Sequence, residues 1–277
     1  MPNKPPEIAC ASCPGGASLS MSQIARTLLS GGVCAQSRAL GIPTESVYFV
    51  LALALNDRTS MPRRARSAVD PTDRIARLQT SLDAHFEHPV PTIIGARGGT
   101  VLIPAQADTD QRITTLAPAL GFSMTDTLIT ITAIEASSED LPHAAGFAHE
   151  LLELALRLGK PPRLYRFGDL ALEYQLTRPG PARRHLANML EPLHPFPDLI
   201  QTLRVHLGNG LNRRDTARSL HIHANTIDYR MKRICQLTGL DEIGTPDIWR
   251  LYTAYVAHLY EHRDDSTPAA RSTVSGA

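Results

Sequence analysis

Apolar positions along the chain follow two regimes. Up to about residue 178 the pattern switches between a period of two and a period near 3.6; beyond residue 197 only the helical period remains. The run 47–55, VYFVLALAL, is almost wholly apolar. It is too short to span a bilayer and reads as a central strand buried on both faces. A helix over 72–86 follows, with Ile75, Leu78, Leu82 and Phe86 on one side and Asp70-Pro71 marking its start. The stretch 92–103 reads as a β-hairpin, with strands 92–96 and 100–103 joined through Arg97-Gly98-Gly99 and glycine supplying positive φ.

A helix over 109–120, a strand over 128–133 and a longer helix over 141–158 come next. The last buries Phe147, Leu151, Leu154, Ala155 and Leu158, and a short strand over 163–167 closes the series. The order β-α-β-β-α-β-α-β predicts an α/β sandwich with helices against an antiparallel or mixed sheet.

Outside this region the pattern weakens. Residues 1–17, rich in Pro and Gly, read as a disordered leader. The segment 18–44 reads as helical: Leu19, Ile24, Leu28 and Leu29 form an amphipathic helix that Gly31-Gly32 ends, and a second short piece reaches residue 40. A polar, Arg-rich loop follows the first strand. The α/β domain is thus expected over 45–178. Prolines 179, 181, 192, 195 and 197 then mark 179–196 as a helix-breaking linker. Helices are expected over 197–207, 213–220, 225–238 and 246–260, making an all-helical domain of 197–262, and the small polar residues 263–277 read as a disordered tail.

Composition is that of an ordinary soluble globular protein: 43% hydrophobic, 20% charged, with a formal net charge of +1. No early segment is ordered like a signal peptide, so a cytoplasmic protein is expected. The charge is unevenly placed. Between Ile200 and Gln236 stand Arg204, Arg213, Arg214, Arg218, Arg230, Lys232 and Arg233, against only Asp215 and Asp228. A basic patch in a near-neutral chain fits a phosphate-facing surface, although a solvated helix face produces the same pattern.

Two stretches invite a metal reading. Cys10-Ala-Ser-Cys13 has zinc-ligand spacing but no second pair at finger-like distance. His221-x-His223 would need further ligands; His206 and Cys235 are nearest in sequence, and Cys235 lies at least two helical turns away. Cys34 and Cys235 read as small, mostly buried thiols. No metal or cofactor is expected.

The alternative for the histidines is a tight turn. NRRDTARSLHIHANTIDYRMKRI fits a helix-turn-helix: Ala217 lies where two helices cross, and Leu220, Ile222 and Ile227 close a small core. Ile227, Met231 and Ile234 continue the inward face at i, i+4 and i+7. The opposite face carries Asn225, Thr226, Asp228, Tyr229, Arg230, Lys232 and Arg233, types that hydrogen-bond bases or neutralise phosphates. His221 takes the turn position where glycine is common, and histidine tolerates left-handed geometry better than a branched residue does.

Residues 212–241 resemble the PucR/CdaR-type family of bacterial transcription regulators. The resemblance is carried by His223, Asn225, Thr226, Ile227, Tyr229, Arg230, Met231, Arg233, Ile234, Leu237, Thr238, Gly239 and Leu240. Upstream, LLSGGVCAQSRALGIPTESVYFVLALAL is similar to that family's lead-in to a GGDEF-like domain, and RLYRFGDLAL to the end of that domain. The resemblance implies an α+β protein: a degenerate GGDEF-like (ferredoxin-like or cyclase-like) α/β sandwich followed by an all-α helix-turn-helix domain. It implies no cyclase activity, because the hairpin carries Arg97-Gly98-Gly99-Thr100 where two metal ions would need carboxylates. Asp57 is a lone acid at a strand end.

The expected function is sequence-specific binding of double-stranded DNA by a homodimeric, non-enzymatic transcription regulator. The expected contacts are Arg213, Arg214, His223, Asn225, Thr226, Tyr229, Arg230, Lys232 and Arg233. The forty-five or so residues before the first strand are too few for a further sensor domain, so an effector would bind the α/β domain or a partner protein. The rival reading is a nucleotide- or metabolite-binding α/β module acting through protein partners, supported by Gly98-Gly99 and Asp57. A third is a helix-turn-helix that no longer touches DNA, which the acid Asp228 keeps open.

Overall fold

Strand β1 (Val47–Asp57) alternates apolar side chains between two covered faces, which is why its sequence shows no polar side. On one edge it pairs antiparallel with β3 (Gly98–Pro104), from Tyr48 opposite Pro104 to Ala54 opposite Gly98. On the other it pairs antiparallel with β4 (Thr127–Ser137) along its whole length. β2 (Thr92–Gly95) borders β3, and β5 (Leu164–Arg166) lies parallel to β4, giving a mixed sheet in the order β2-β3-β1-β4-β5. The first four strands, with their intervening helices, form the ferredoxin-like β-α-β-β-α-β arrangement.

The structure is a computed structural model and describes residues 8–9, 18–30, 47–57, 70–124, 127–240 and 245–261. The expectations for the second helical piece ending at residue 40, most of the Arg-rich loop and the tail 263–277 lie outside the described residues, as do Cys10, Cys13 and Cys34. Within the expected disordered leader, Ile8–Ala9 pairs antiparallel with Ser18–Leu19, so that short piece is ordered by a strand contact.

Phe49, Leu51, Leu53 and Leu55 face α2 (Pro71–Phe86) and α3 (Thr109–Ser123), packing with Leu78, Leu82, Ile113, Leu116 and Leu120. Tyr48, Val50, Ala52 and Ala54 face the other way, toward α1 (Met21–Leu29) and α4 (Leu141–Arg157). There Ile24, Ala25 and Leu28 join Leu141, Ala144, Ala148 and Leu152. Each fully buried leucine contributes roughly 2 kcal/mol, so a strand with both faces filled anchors this layer structure. α1 starts with a reciprocal cap: Ser20 accepts from the Gln23 amide while the Gln23 side chain accepts from the Ser20 amide.

The hairpin differs from its expectation. Its turn is Ala96-Arg97, with no positive φ there, and Gly98 and Gly99 already lie in β3. A Cβ on Gly98 would stand 1.9 Å from the Leu53 carbonyl oxygen, and one on Gly99 1.9 Å from that of Ile93. Close backbone approach explains this pair, with φ of +128° as a further requirement at Gly98.

Among the described residues the chain divides into two compact units. One ends at Leu156 and takes up Pro161–Leu170; the other comprises Arg157–Lys160 and the residues from Ala171 onward. Where a linker was expected over 179–196, the chain is helical instead: α6 (Pro181–Asn188) is followed by a short 3-10 turn, Glu191–Leu193. The prolines do not break these helices because they occupy first-turn positions, where the missing N–H has no intrahelical partner to lose. A further helix, α5 (Phe167–Leu176), follows β5, which is shorter than the strand expected over 163–167.

The remaining helices, α7 (Pro197–Gly208), α8 (Arg213–Leu220), α9 (Ala224–Thr238) and α10 (Thr245–Glu261), match their sequence expectations to within one residue at each end. α10 packs on α6, buries Leu251, Ala254, Tyr255, Val256 and Ala257, and is tied to it by Arg183 Nε to Glu261 Oε2 at 2.7 Å. Glu173, Lys160 and Tyr252 form a part-buried polar cluster in this unit, with Lys160 Nζ 2.9 Å from Glu173 Oε1 and the Tyr252 hydroxyl donating to the same oxygen.

Candidate nucleic-acid interface

α7, α8 and α9 pack against one another around Leu199, Leu203, Ala217, Ile227, Met231 and Ile234, all buried. The small side chain of Ala217 lies in the closely packed part of α8 beside Thr216, as a crossing of two backbones requires. His206 is also buried and meets Thr216 Oγ1 at 3.0 Å through Nδ1. The Thr216 hydroxyl donates to the Asn212 carbonyl at 2.7 Å, so it accepts from His206, which therefore carries its proton on Nδ1. Its Nδ1 thus serves the core, away from His221 and His223.

The turn is built from local chemistry. Asn212 caps α8 by accepting from the amides of Arg214 and Asp215 at 3.0 and 3.2 Å. The helix ends with His221 in the left-handed region, φ 55° and ψ 40°. The Ile222 amide returns to the Ala217 carbonyl at 3.0 Å and that of His221 to Arg218 at 3.3 Å, the pair of bonds of a Schellman closure. Ile222 is half-buried over this turn. His223 then caps α9, its Nδ1 accepting from the Asn225 amide at 3.2 Å. Both histidines of the His-x-His motif thus have structural work in the turn. Among the described residues no three His, Cys, Asp or Glu side chains converge as a ligand set.

On α9 the buried stripe Ile227, Met231 and Ile234 lies opposite Asn225, Tyr229, Lys232, Arg233 and Gln236, all exposed. Tyr229 is 69% exposed, an aromatic ring held in solvent at the middle of that face. Arg214 is exposed near the start of α8, and Thr226 is half-buried. Arg233 extends along its own helix toward Gln236 and lies over the Phe196 ring at 6.0 Å.

Two residues assigned to the outer face are placed differently from the rest. Arg230 turns toward α7, donating from Nη1 to Thr202 Oγ1 at 3.1 Å, with Nη2 3.3 Å from Asp198 Oδ2. Its side chain is only 22% exposed. Asp228 turns toward α8, with Oδ1 2.9 Å from Arg213 Nε. The recognition-like helix is thus held on one flank by Asp198 and Thr202 and on the other by Arg213. Nothing in the linear spacing of Asp198, Thr202 and Arg230 signals this clamp, because it depends on how α7 crosses α9.

Residues 199–257 match the family model described as the PucR C-terminal helix-turn-helix domain. Over 88 residues the chain is 34% identical to an uncharacterized protein of Bacillus subtilis (strain 168), YsfB, a match covering 31% of this chain and 24% of the relative. The chain thus spans about a quarter of the length of that relative. Among solved structures it is similar to a regulator of polyketide synthase expression from Bifidobacterium adolescentis, at 18% identity and a TM-score of 0.37, covering 88% of this chain and 99% of the other. With the packed α7-α8-α9 core and the left-handed turn at His221, the match over 199–257 makes that stretch a PucR-type C-terminal helix-turn-helix domain.

Proposed function

We propose that this protein is a sequence-specific DNA-binding transcription regulator, working as a dimer on paired half-sites through α8 and α9. The observation that carries the reading is the division of α9 into a fully buried stripe and an exposed one bearing Asn225, Tyr229, Lys232 and Arg233. In a helix-turn-helix the second helix enters the major groove, its outward side chains meeting base edges and flanking phosphates. In this reading Asn225 and Tyr229 meet bases, and Arg213, Arg214, Lys232 and Arg233 the backbone. His223 contributes by capping α9, and Arg230 by fixing the helix against α7, so both act on the interface through its geometry. One such module buries limited surface, which is the reason for a dimer.

The rival reading, a metabolite-binding α/β module, loses one of its two sequence supports, since backbone approach accounts for Gly98-Gly99. Genome-wide occupancy of the tagged full-length protein, followed by salt-titrated binding to one enriched duplex, tests the proposal. Enriched sites with a steep salt dependence support it; no enriched site and no salt-dependent affinity would refute it.

A further inference from the structure

Asp228 is an acid on a surface otherwise suited to phosphates, and its two oxygens are differently placed. Oδ1 lies 2.9 Å from Arg213 Nε and is shut off from solvent, held by charge without a well-aligned hydrogen bond. The side chain as a whole is nevertheless 45% exposed. That exposure falls on the rest of the group, leaving Oδ2 as the oxygen that can face a ligand. Along α9, Asn225, Asp228, Tyr229 and Lys232 stand at i, i+3, i+4 and i+7, one continuous stripe. Asp228 thus stands at the α8 edge of this stripe, with one oxygen anchored by Arg213.

We propose that Asp228 is a specificity-determining residue: Arg213 fixes its carboxylate so that Oδ2 accepts from a base amino group in the major groove. This rests on the DNA-binding reading of α9. A carboxylate has acceptors only, so it selects an exocyclic amine, with the N4 amine of cytosine the best-matched partner, and repels the O6 and N7 of guanine and the O4 of thymine. Anchoring matters because an acid free to swing would turn from the groove and lose that discrimination. Arg213 also offsets part of the carboxylate's repulsion from nearby phosphates, which makes an acid tolerable at this place. Asp228 accordingly adds base choice at the cost of some affinity, a combination that a further Lys or Arg could not supply.

The test is selection of bound sequences from a pool of random duplexes by full-length protein, followed by affinities for single duplexes differing at one base pair. The wild type is expected to prefer cytosine at one position of each half-site, by about fivefold or more, the usual cost of a mismatched pair. In Asp228→Asn that preference is expected to fall below about twofold or to shift toward adenine, whose N6 amine and N7 an amide meets with its acceptor and its donor together. Other positions of the site should keep their preferences. Arg213→Ala should blunt the same position while leaving the carboxylate in place. Thermal denaturation of each variant confirms the fold.

If Asp228→Asn binds all duplexes more weakly or more tightly by one common factor, with its base preferences intact, the proposal is overturned and Asp228 acts only through Arg213 or net charge. If the wild type selects no sequence at all, it is the DNA-binding reading itself that fails.

Discussion

Arg230 and Asp198 meet across the α7–α9 crossing, Nη2 to Oδ2 at 3.3 Å, while the same guanidinium donates to Thr202 one turn further along α7. An arginine placed by its sequence on the outward face thus ties α9 to α7. Removing it leaves Thr202 without its donor and Asp198 without its counter-ion. Arg230→Ala is expected to destabilise the C-terminal unit by about 1 kcal/mol, the partial exposure of Asp198 keeping the pair from being worth more. Asp198→Ala, which touches no outward residue of α9, should lower DNA affinity in parallel with its loss in thermal denaturation, and the double variant should fall short of the sum. Loss of binding in Arg230→Ala with full binding in Asp198→Ala would instead make Arg230 a direct DNA contact.

Gly99, like Gly98, leaves no room for a side chain: an added Cβ would sit 1.9 Å from the Ile93 oxygen and 2.8 Å from the Ile94 Cα. Both are backbone atoms of the neighbouring strand and cannot swing aside. Gly99→Ala is expected to destabilise the α/β unit by several kcal/mol, above the usual ~1–3 kcal/mol of overpacking, because the register of β2 on β3 must yield. Gly146→Ala is the control: its Cβ would meet nothing within 4 Å. Chemical denaturation of the two variants, followed by far-ultraviolet circular dichroism, measures the contrast.

Glu173 gives a pH dependence with a definite sign. Burial raises its carboxyl pKa, but hydrogen bonds from Tyr252 and Lys160 outweigh burial and hold it below the ordinary glutamate value. A depressed carboxyl contributes stability that is complete above its unfolded pKa, near ~4.3, and is lost as pH falls through the lower folded value. Wild type should therefore lose stability on acidification more steeply than Glu173→Gln, with the two curves converging below about pH 4. Melting temperatures from pH 7 to pH 3 test this; parallel curves would mean that Glu173 is not held ionised by its partners.

What could be read from the sequence divides along physical lines. β1 was legible because burial on both faces leaves an unbroken apolar run, and the helix-turn-helix because each residue of its turn has a local reason: a cap at Asn212, a left-handed site at His221, a second cap at His223. α5 was missed because Phe167, Leu170, Leu172 and Leu176 form no single apolar stripe; Leu170 is buried while Leu172 is 51% exposed. α6 was missed because prolines flanking a short segment look alike whether they break helices or start them. The ion pairs of Arg230 and Asp228 were hidden for another reason. A charged residue at the edge of an amphipathic stripe can face either way, and only the crossing of α7, α8 and α9 decides which.

The exposed stripe of α9 makes the last prediction. Tyr229 and Lys232 make none of the contacts that hold α7, α8 and α9 together, and both are exposed, so Tyr229→Ala and Lys232→Ala should leave the thermal transition within about 0.5 kcal/mol of wild type. Their effects on DNA should differ from each other in kind. Lys232→Ala removes a cation, so binding should weaken similarly on every duplex and the slope of log affinity against log salt should fall by about one. Tyr229→Ala removes a neutral ring; it should leave that slope unchanged and weaken the preferred duplex more than a random one. Salt-titrated fluorescence anisotropy on both duplexes separates the two outcomes. Equal, salt-independent losses for both variants would place this face outside the DNA contact.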